Sequence, residues 1–128
     1  MKVNVLIDSS GWIEYFADGP KAGKYAKYVE AANKSECVTP SIVLYEVHKK
    51  IKFMKGEDSA LKALAHIIDN TEIISIDKKI ALSAADISLK TKLAMADALI
   101  KATAEEKDAK IITSDEHFRK FPDVIFIE

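Results

Sequence analysis

The sequence predicts an α/β protein, a three-layer α/β/α sandwich with a mostly parallel central sheet. Short apolar runs rich in β-branched residues recur along the 128-residue chain, and segments with helical periodicity separate them. The first run, residues 3–7, is almost continuously apolar, which is typical of a strand buried on both faces of a parallel sheet. Strands that alternate with helices in this way indicate a sheet covered by helices.

Turn and capping residues set the ends of the predicted elements in the first half of the chain. The Asp18-Gly19-Pro20 turn signal ends a helical turn that follows the first strand. Pro40-Ser41 marks the entry into a helix, and residues 56–59 interrupt its pattern. The longer elements predicted here are strand 3–7, helix 21–33, strand 36–39, helix 41–55 and a helix that begins at residue 60.

Similar signals organise the second half. Asp69-Asn70 ends the preceding helix, and Asp77 can cap the next one. The elements predicted here are strand 72–76, two helices of which the second contains Asp97, strand 110–113, a short helical segment over 114–121 and strand 124–127. No repeat, low-complexity segment or linker divides the chain, so we expect a single domain over residues 1–128.

The charge balance argues against a protein that reads bases through a basic surface. The formal net charge is −1, which gives no overall attraction to nucleic acid. Arg119 is the only arginine, and arginine is the usual side chain for bidentate recognition of guanine. Contacts with nucleic acid are therefore expected to come from lysines on the phosphate backbone.

Neither a membrane span nor a disulfide is predicted. The longest apolar runs are far shorter than the roughly 20 residues that span a bilayer, and the first run ends at Asp8, too early for a signal peptide. Cys37 is the single cysteine, and a lone cysteine is typically a small core residue. We expect a cytoplasmic protein without membrane association.

Several acidic residues fall where an α/β protein binds its ligands. In open parallel sheets, ligands bind at the carboxyl ends of the strands, and Asp8, Asp77 and Asp115 follow the first, third and fourth strands. Glu46 lies in the second turn of the helix after the second strand, and Asp97 lies early in the helix before the fourth. These five acids are the candidates for chemistry.

Each acid also has a purely structural explanation. Asp8, Asp77 and Asp115 can each cap the helical segment that follows, and for Asp77 we retain that explanation.

Glu46 and Asp97 can likewise be ordinary helix residues. Glu46 can pair with Lys49 or Lys50 on the same helix. Asp97 can complement the helix dipole or pair with Lys101.

The four acids other than Asp77 are better explained as a cation site if their side chains lie close together. Carboxylates at one edge of a sheet repel one another, and burial against apolar neighbours adds a desolvation cost. A divalent cation neutralises such a cluster, and oxygen-only ligation favours Mg²⁺ or Mn²⁺ over zinc.

Four sequence blocks resemble the PIN domain family, and within it the VapC-type toxin ribonucleases of prokaryotic toxin–antitoxin pairs. The blocks are, in the order of the family, VLIDSSGWIEYF, SIVLYEVHKKI, MADALIKATA and IITSDEHF. A single block is a weak signal, whereas the ordered set is specific. The resemblance extends over the whole chain.

This resemblance implies an acidic site made of Asp8, Glu46, Asp97 and Asp115. Asp8 and Asp97 are expected to ligate a metal ion directly. Glu46 and Asp115 are expected to add ligands or to orient water. Mg²⁺ or Mn²⁺ is the implied cofactor.

Two hydroxyl residues stand beside these acids in the family's pattern. Ser10 and Thr113 fall where the family often has supporting hydroxyls. Ser9-Ser10 replaces the more frequent Thr-Ser pair, which is a mild departure from the pattern.

The activity implied by the resemblance is endonucleolytic cleavage of RNA with one or two metal ions. Lysines beyond Glu46 can hold the RNA backbone, although a solvated helix face explains them as well; they are Lys49, Lys50, Lys52 and Lys55. No histidine has the spacing of a zinc motif such as H-E-x-x-H. We therefore expect His66 to be structural, and His48 and His117 to be surface groups.

The implied partners are an RNA substrate, a cognate antitoxin whose tail lies over the active-site groove, and a second copy of the chain in a homodimer. Trp12, Tyr15 and Phe16 are candidates to receive the antitoxin. Trp12 and Phe16 are better explained as core residues.

Three alternative functions stay open at this point. One is a non-catalytic RNA- or protein-binding module of the same fold, against which the four intact acids argue. Another is a stand-alone RNA-processing nuclease without an antitoxin. The third is phosphoryl chemistry at Asp8 or Asp77, although Ser10 replaces the second acid of the D-x-D pattern of such phosphatases.

Overall fold

The structure, a computed structural model, describes residues 4–128 as five strands, six α-helices and a short 3₁₀ turn. The strands are β1 Asn4–Ile7, β2 Val38–Pro40, β3 Glu72–Ile74, β4 Ala109–Thr113 and β5 Val124–Phe126. The helices are α1 Ser9–Phe16, α2 Ala22–Ala31, α3 Ser41–Lys55, α4 Glu57–Asn70, α5 Lys78–Thr91 and α6 Met95–Glu106. The 3₁₀ turn, Glu116–Phe118, precedes β5.

Every strand pair in the described chain is parallel. The order β1-β4-β5 forms one sheet and β2-β3 forms another. A single parallel bridge between Val5 and Cys37 joins them, and the Val5 N–H donates to the Glu36 carbonyl at 2.8 Å. The predicted α/β fold with a mostly parallel sheet is confirmed.

The pairing of β1 with β4 brings distant parts of the chain to one edge of the sheet. Ile7 is in register with Ile112, so Asp8 and Thr113 both follow the paired positions. Parallel strands end at the same edge, and this register therefore decides which side chains meet there.

Helix packing joins the remaining elements to the sheet. α1 packs against α2, α3 and α4, and α3 packs along α4. α5 packs along α6, which also contacts β2 and β4. Within residues 4–128, no helix combines the length and apolar composition that crossing a bilayer requires.

Most element boundaries differ only slightly from the prediction. Val3, which was assigned to the first strand, lies outside the described residues. β2 begins at Val38 rather than at Glu36, because the Glu36 carbonyl bonds across to β1. The segment predicted as a short helix over 114–121 contains one 3₁₀ turn.

The break between α3 and α4 is a single residue, not the predicted four. Gly56 has φ +92°, a conformation that favours glycine, and it ends one helix and begins the next. Residues 57–59 already belong to α4. The glycine alone is sufficient to turn the chain.

The apolar core includes the large aromatic residues of the first helices. Trp12 and Tyr25 are fully buried. Phe16 stacks on Trp12 with ring centroids 6.3 Å apart, and His66 packs its edge against both rings. The core assignment of Trp12 is therefore confirmed, and His66 is structural as predicted.

Cys37 is a core residue as well. Its side chain is buried beside β1, and burial raises the pKa of the thiol to about 11. A protonated, buried thiol is chemically inert, as the sequence predicted for a lone cysteine.

Gly11 lies where α1 approaches the core most closely. A Cβ atom there would lie 2.6 Å from Cε1 of Tyr25 and 2.8 Å from Cγ2 of Ile7. We expect Gly11→Ala to lower the free energy of unfolding by about 1–2 kcal/mol, because overpacking costs more than the gain in helix propensity. Urea denaturation measures this change.

Gly23→Ala is the matched control, because a Cβ atom at Gly23 in α2 meets nothing within 4 Å. This substitution should stabilise the protein by about 0.5–1 kcal/mol. Equal stabilisation by both substitutions would contradict the close packing at Gly11.

Candidate active site

Asp8 directly follows β1 and is 2% exposed, so its carboxylate lies inside the protein. Its Oδ2 accepts hydrogen bonds from Ser10 Oγ at 2.9 Å and from Thr113 Oγ1 at 2.8 Å. Both hydroxyls that the sequence pattern placed beside this acid thus contact it. Asp8 occupies the N-cap position of α1, but its side chain caps no backbone N–H, so capping does not explain the carboxylate.

Glu46 lies half-buried on α3, and its Oε1 accepts a hydrogen bond from Ser9 Oγ at 2.8 Å. The same hydroxyl lies 3.3 Å from Oδ1 of Asp8. Within residues 4–128, Glu46 forms no ion pair, and Lys49 lies over the Tyr45 ring instead. The structural alternative for Glu46, a pairing with Lys49 or Lys50, is therefore not formed.

Ser9 is a site residue that the sequence reasoning missed. It sits between the carboxylates of Asp8 and Glu46, which come from different elements. Its position directly after Asp8 was the available signal. The contact with α3 has no trace in the spacing of the sequence.

Asp97 lies in the first turn of α6, with 19% of its side chain exposed. Lys101 pairs with Glu105 at 3.0 Å. Lys101 is therefore not the partner of Asp97, and the pairing that the sequence allowed is wrong.

Asp115 follows β4 and begins the 3₁₀ turn. Its Oδ1 accepts a hydrogen bond from the His117 backbone N–H at 2.9 Å, so the predicted cap is present. Its own backbone N–H donates to Thr113 Oγ1 at 2.9 Å. Because Thr113 donates in turn to Asp8, one threonine fixes the positions of two acids.

The four carboxylates lie in one electrostatic environment. Burial raises the pKa of Asp97 to about 6, and the negative charges of Asp115, Asp8 and Glu46 add to this shift. Burial also raises the pKa of Asp8, and the hydrogen bonds from Thr113 and Ser10 oppose this shift.

Hydrogen bonds and contacts link the same acids. Ser9 bridges Asp8 and Glu46, and Thr113 bridges Asp8 and the backbone of Asp115. Asp97 and Asp115 each offer an atom to one group within 4.8 Å. We call Asp8, Glu46, Asp97 and Asp115 the acidic pocket.

Burial likewise raises the pKa of Glu46, and the hydrogen bond from Ser9 opposes the shift. The charges of Asp8 and Asp115 raise it further. All three shifted acids are thus held in surroundings that disfavour their negative charge.

The donor atoms of the acidic pocket fit a hard divalent cation. Within residues 4–128, no lysine or arginine lies within ion-pair distance of its four carboxylates. Carboxylate and hydroxyl oxygens are the donors that Mg²⁺ and Mn²⁺ accept. A cation would offset the repulsion and the burial cost that raise these pKa values.

His117 is a second residue that the sequence reasoning missed. Its side chain is 73% exposed, as predicted for a surface group, but it lies at the acidic pocket. Nδ1 is 3.2 Å from Oδ1 of Asp115 and 3.5 Å from Oδ2 of Asp97. The Asp-x-His spacing at positions 115 and 117 was the signal that could have found it.

Two of the predicted RNA-binding lysines line an open groove beside Glu46. The groove has a volume of about 530 Å³; its lining residues are Ser9, Ser10, Ile13, Tyr45, Glu46, Lys49, Lys50 and Phe53. Tyr45 and Phe53 are exposed, at 59% and 85%. Lys52 instead pairs with Glu57 at 3.5 Å, across the turn between α3 and α4.

The PIN domain family model matches residues 5–124 of this chain. The chain therefore belongs to the PIN domain family. No curated protein matches it significantly.

Solved structures share the fold over nearly the whole chain. A toxin–antitoxin complex from Klebsiella pneumoniae matches with 26% identity and a TM-score of 0.77, covering 95% of this chain and 96% of that one. VapBC2 from Rickettsia felis, bound to a DNA fragment from its promoter, matches with 16% identity and a TM-score of 0.72, covering 98% of each chain. VapC20 from Mycobacterium tuberculosis, a toxin that cleaves the sarcin-ricin loop, matches with 14% identity and a TM-score of 0.75, covering 91% of this chain and 92% of that one.

The raised pKa of Asp97 makes the stability of the metal-free protein depend on pH. Folding raises the pKa of this carboxyl from 3.8 to about 6. Its ionisation therefore leaves the free energy of unfolding unchanged below the lower pKa and reduces it by the full amount above the higher pKa. Asp97→Asn removes this cost. We expect it to raise the midpoint of thermal unfolding by about 3–5 °C near pH 7.5, which corresponds to about 1 kcal/mol after solvent screening.

Unfolding is measured by circular dichroism with a chelator present, and the gain should shrink as the pH falls to about 4. Asp86→Asn is the control, because Asp86 is an exposed carboxylate on α5. A gain that is the same at both pH values, or that Asp86→Asn reproduces, would contradict the electrostatic cost at Asp97.

Proposed function

We propose that this protein is a Mg²⁺- or Mn²⁺-dependent endoribonuclease and the toxin of a VapBC-type toxin–antitoxin pair. The observation that carries the proposal is the acidic pocket, in which four carboxylates from separate parts of the chain lie together without a lysine or arginine partner among residues 4–128. Membership of the PIN domain family supports it. Repulsion and desolvation in such a cluster reduce the free energy of unfolding unless a bound cation neutralises the charge.

Asp8 and Asp97 are the residues proposed to hold the ion directly, with Asp115 and Glu46 completing the set of oxygen donors. The bound ion would supply charge neutralisation for a phosphodiester and activation of a water molecule. The hydroxyls of Ser10 and Thr113 hold the Asp8 carboxylate in one orientation. This preorganisation limits the rearrangement needed when the substrate binds.

Glu46 is the residue proposed to take the proton of the attacking water. Ser9 occupies its Oε1, and Oε2 accepts no hydrogen bond from the described residues. Burial and the neighbouring acids raise its pKa, which moves this carboxylate toward the range in which a general base is most effective.

The substrate proposed is RNA, held mainly through its phosphates. Lys49 and Lys50 line the groove beside Glu46 and can act as point charges for the backbone. Lys52 contributes less in this proposal, because Glu57 already offsets its charge. The description of VapC20 as a toxin that cleaves the sarcin-ricin loop is consistent with RNA as the substrate class.

The partners proposed are a cognate antitoxin over the active-site groove and a second copy of the chain. The similarity to a chain of a toxin–antitoxin complex supports the first. Exposed apolar residues on α5 and at the start of α6 offer a surface for the second; they are Leu82, Leu89 and Met95. A cytoplasmic location, which the lone buried cysteine favours, is part of the same proposal.

The direct test is cleavage of a fluorescent single-stranded RNA library with Mg²⁺ or Mn²⁺. We expect cleavage by the wild type and at least about 100-fold slower cleavage by Asp97→Asn or Asp8→Asn, since each substitution removes a charged oxygen donor. Chelation of the metal should abolish cleavage, and its return should restore it.

Asp86→Asn again serves as the control and should cleave at the wild-type rate. Equal activity in the wild type and Asp97→Asn would overturn the assignment of the site. Metal-independent cleavage that persists in all variants would point to a contaminating ribonuclease and against the proposal.

A further inference from the structure

His117 contacts the acidic pocket, but the proposed function assigns it no role. One ligand atom each from Asp97, Asp115 and His117 lie within 4.8 Å of one another. Neither of the other two histidines belongs to such a group among the described residues. The imidazole of His117 adds a nitrogen atom to a set that otherwise offers oxygens.

The local structure holds the His117 ring against the two acids. Oδ1 of Asp115 accepts from the His117 backbone N–H at 2.9 Å and lies 3.2 Å from the ring nitrogen Nδ1. The next residue, Phe118, is fully buried and anchors the turn in the core. Arg119 then pairs with Glu116 at 2.7 Å. The backbone is therefore fixed on both sides of His117, and only the torsions of its exposed side chain remain to be ordered when the ring binds a ligand.

The distances suit donors that share one ion. Adjacent ligands of an octahedral ion with bonds of about 2.1 Å lie about 3 Å apart. Nδ1 of His117 is 3.2 Å from one carboxylate oxygen and 3.5 Å from another. A simple ion pair at 73% exposure would add little stability. Coordination of one cation would explain why the three atoms lie close together.

We propose that His117 is a nitrogen ligand of the divalent cation on the Asp97–Asp115 side of the acidic pocket and that it shifts the preference of the site from Mg²⁺ toward Mn²⁺. The inference rests on the proposed function, because it takes the metal site as given. Its chemical basis is that Mg²⁺ prefers oxygen ligands, whereas imidazole suits transition metals better.

Pulsed electron paramagnetic resonance of bound Mn²⁺ detects coordination by the His117 nitrogen directly. We expect echo modulation from a directly bound histidine nitrogen in the wild type, and a change of that modulation when the protein contains ¹⁵N-labelled histidine. His117→Ala should abolish the modulation. His48→Gln, which changes a histidine on α3, should retain it.

Calorimetric titration supplies the second readout. His117→Ala should weaken Mn²⁺ binding roughly tenfold or more while changing Mg²⁺ binding much less. Because the side chain is largely exposed, thermal unfolding of the metal-free variant should match that of the wild type, which separates loss of a ligand from loss of the fold.

The outcomes distinguish this inference from the proposed function. Tight Mn²⁺ binding without histidine modulation, or with modulation that His117→Ala leaves unchanged, overturns the role of His117 and leaves the metal-dependent nuclease standing. Equal loss of Mg²⁺ and Mn²⁺ affinity in His117→Ala overturns the shift in metal preference. Absence of Mn²⁺ binding by the wild type overturns both.

Discussion

The burial of negative charge at one edge of the sheet is the constraint on which the rest of the site depends. Asp8 is 2% exposed and shares its surroundings with three more carboxylates. Such an arrangement raises the pKa of Asp8, Glu46 and Asp97 and weakens the fold unless hydroxyl donors and a cation offset it. Ser10 and Thr113 supply the donors. Among residues 4–128 no lysine or arginine pairs with the four acids, and the largely exposed His117 is the one basic side chain in contact with them.

The parallel sheet makes this concentration of charge possible. Pairing of β1 with β4 sets Asp8 beside Thr113, although the two lie far apart in the chain. α3 then brings Glu46 to Ser9, and α6 brings Asp97 into the same electrostatic field. The fold supplies rigid elements, and the polar contacts between them position the acids.

The sequence could predict the elements better than their contacts. Hydrophobic periodicity and the caps define most helices and strands, because these signals are local. Local reasoning found the Asp115 cap, but it offered only a lysine of the same helix as a partner for Glu46. The hydroxyl that donates to Glu46 lies in another element. Ser9 escaped prediction for the same reason, since its contact with Glu46 depends on the packing of α3. The spacing of Asp115 and His117 could have indicated their contact, but the contact of His117 with Asp97 depends on the packing of α6.

The resemblance to the PIN domain family identified Asp8, Glu46, Asp97 and Asp115 as a site. The geometry adds a physical explanation for their proximity, which is that they bind a divalent cation. The most direct test of this explanation is anomalous diffraction from a crystal soaked with Mn²⁺, which locates the bound ion without an activity assay. We expect an anomalous peak bounded by the carboxylates of Asp8 and Asp97, with Asp115 or Glu46 at its edge. A peak only at another acidic surface, or none at millimolar Mn²⁺, would contradict the central claim that the acidic pocket is a metal site.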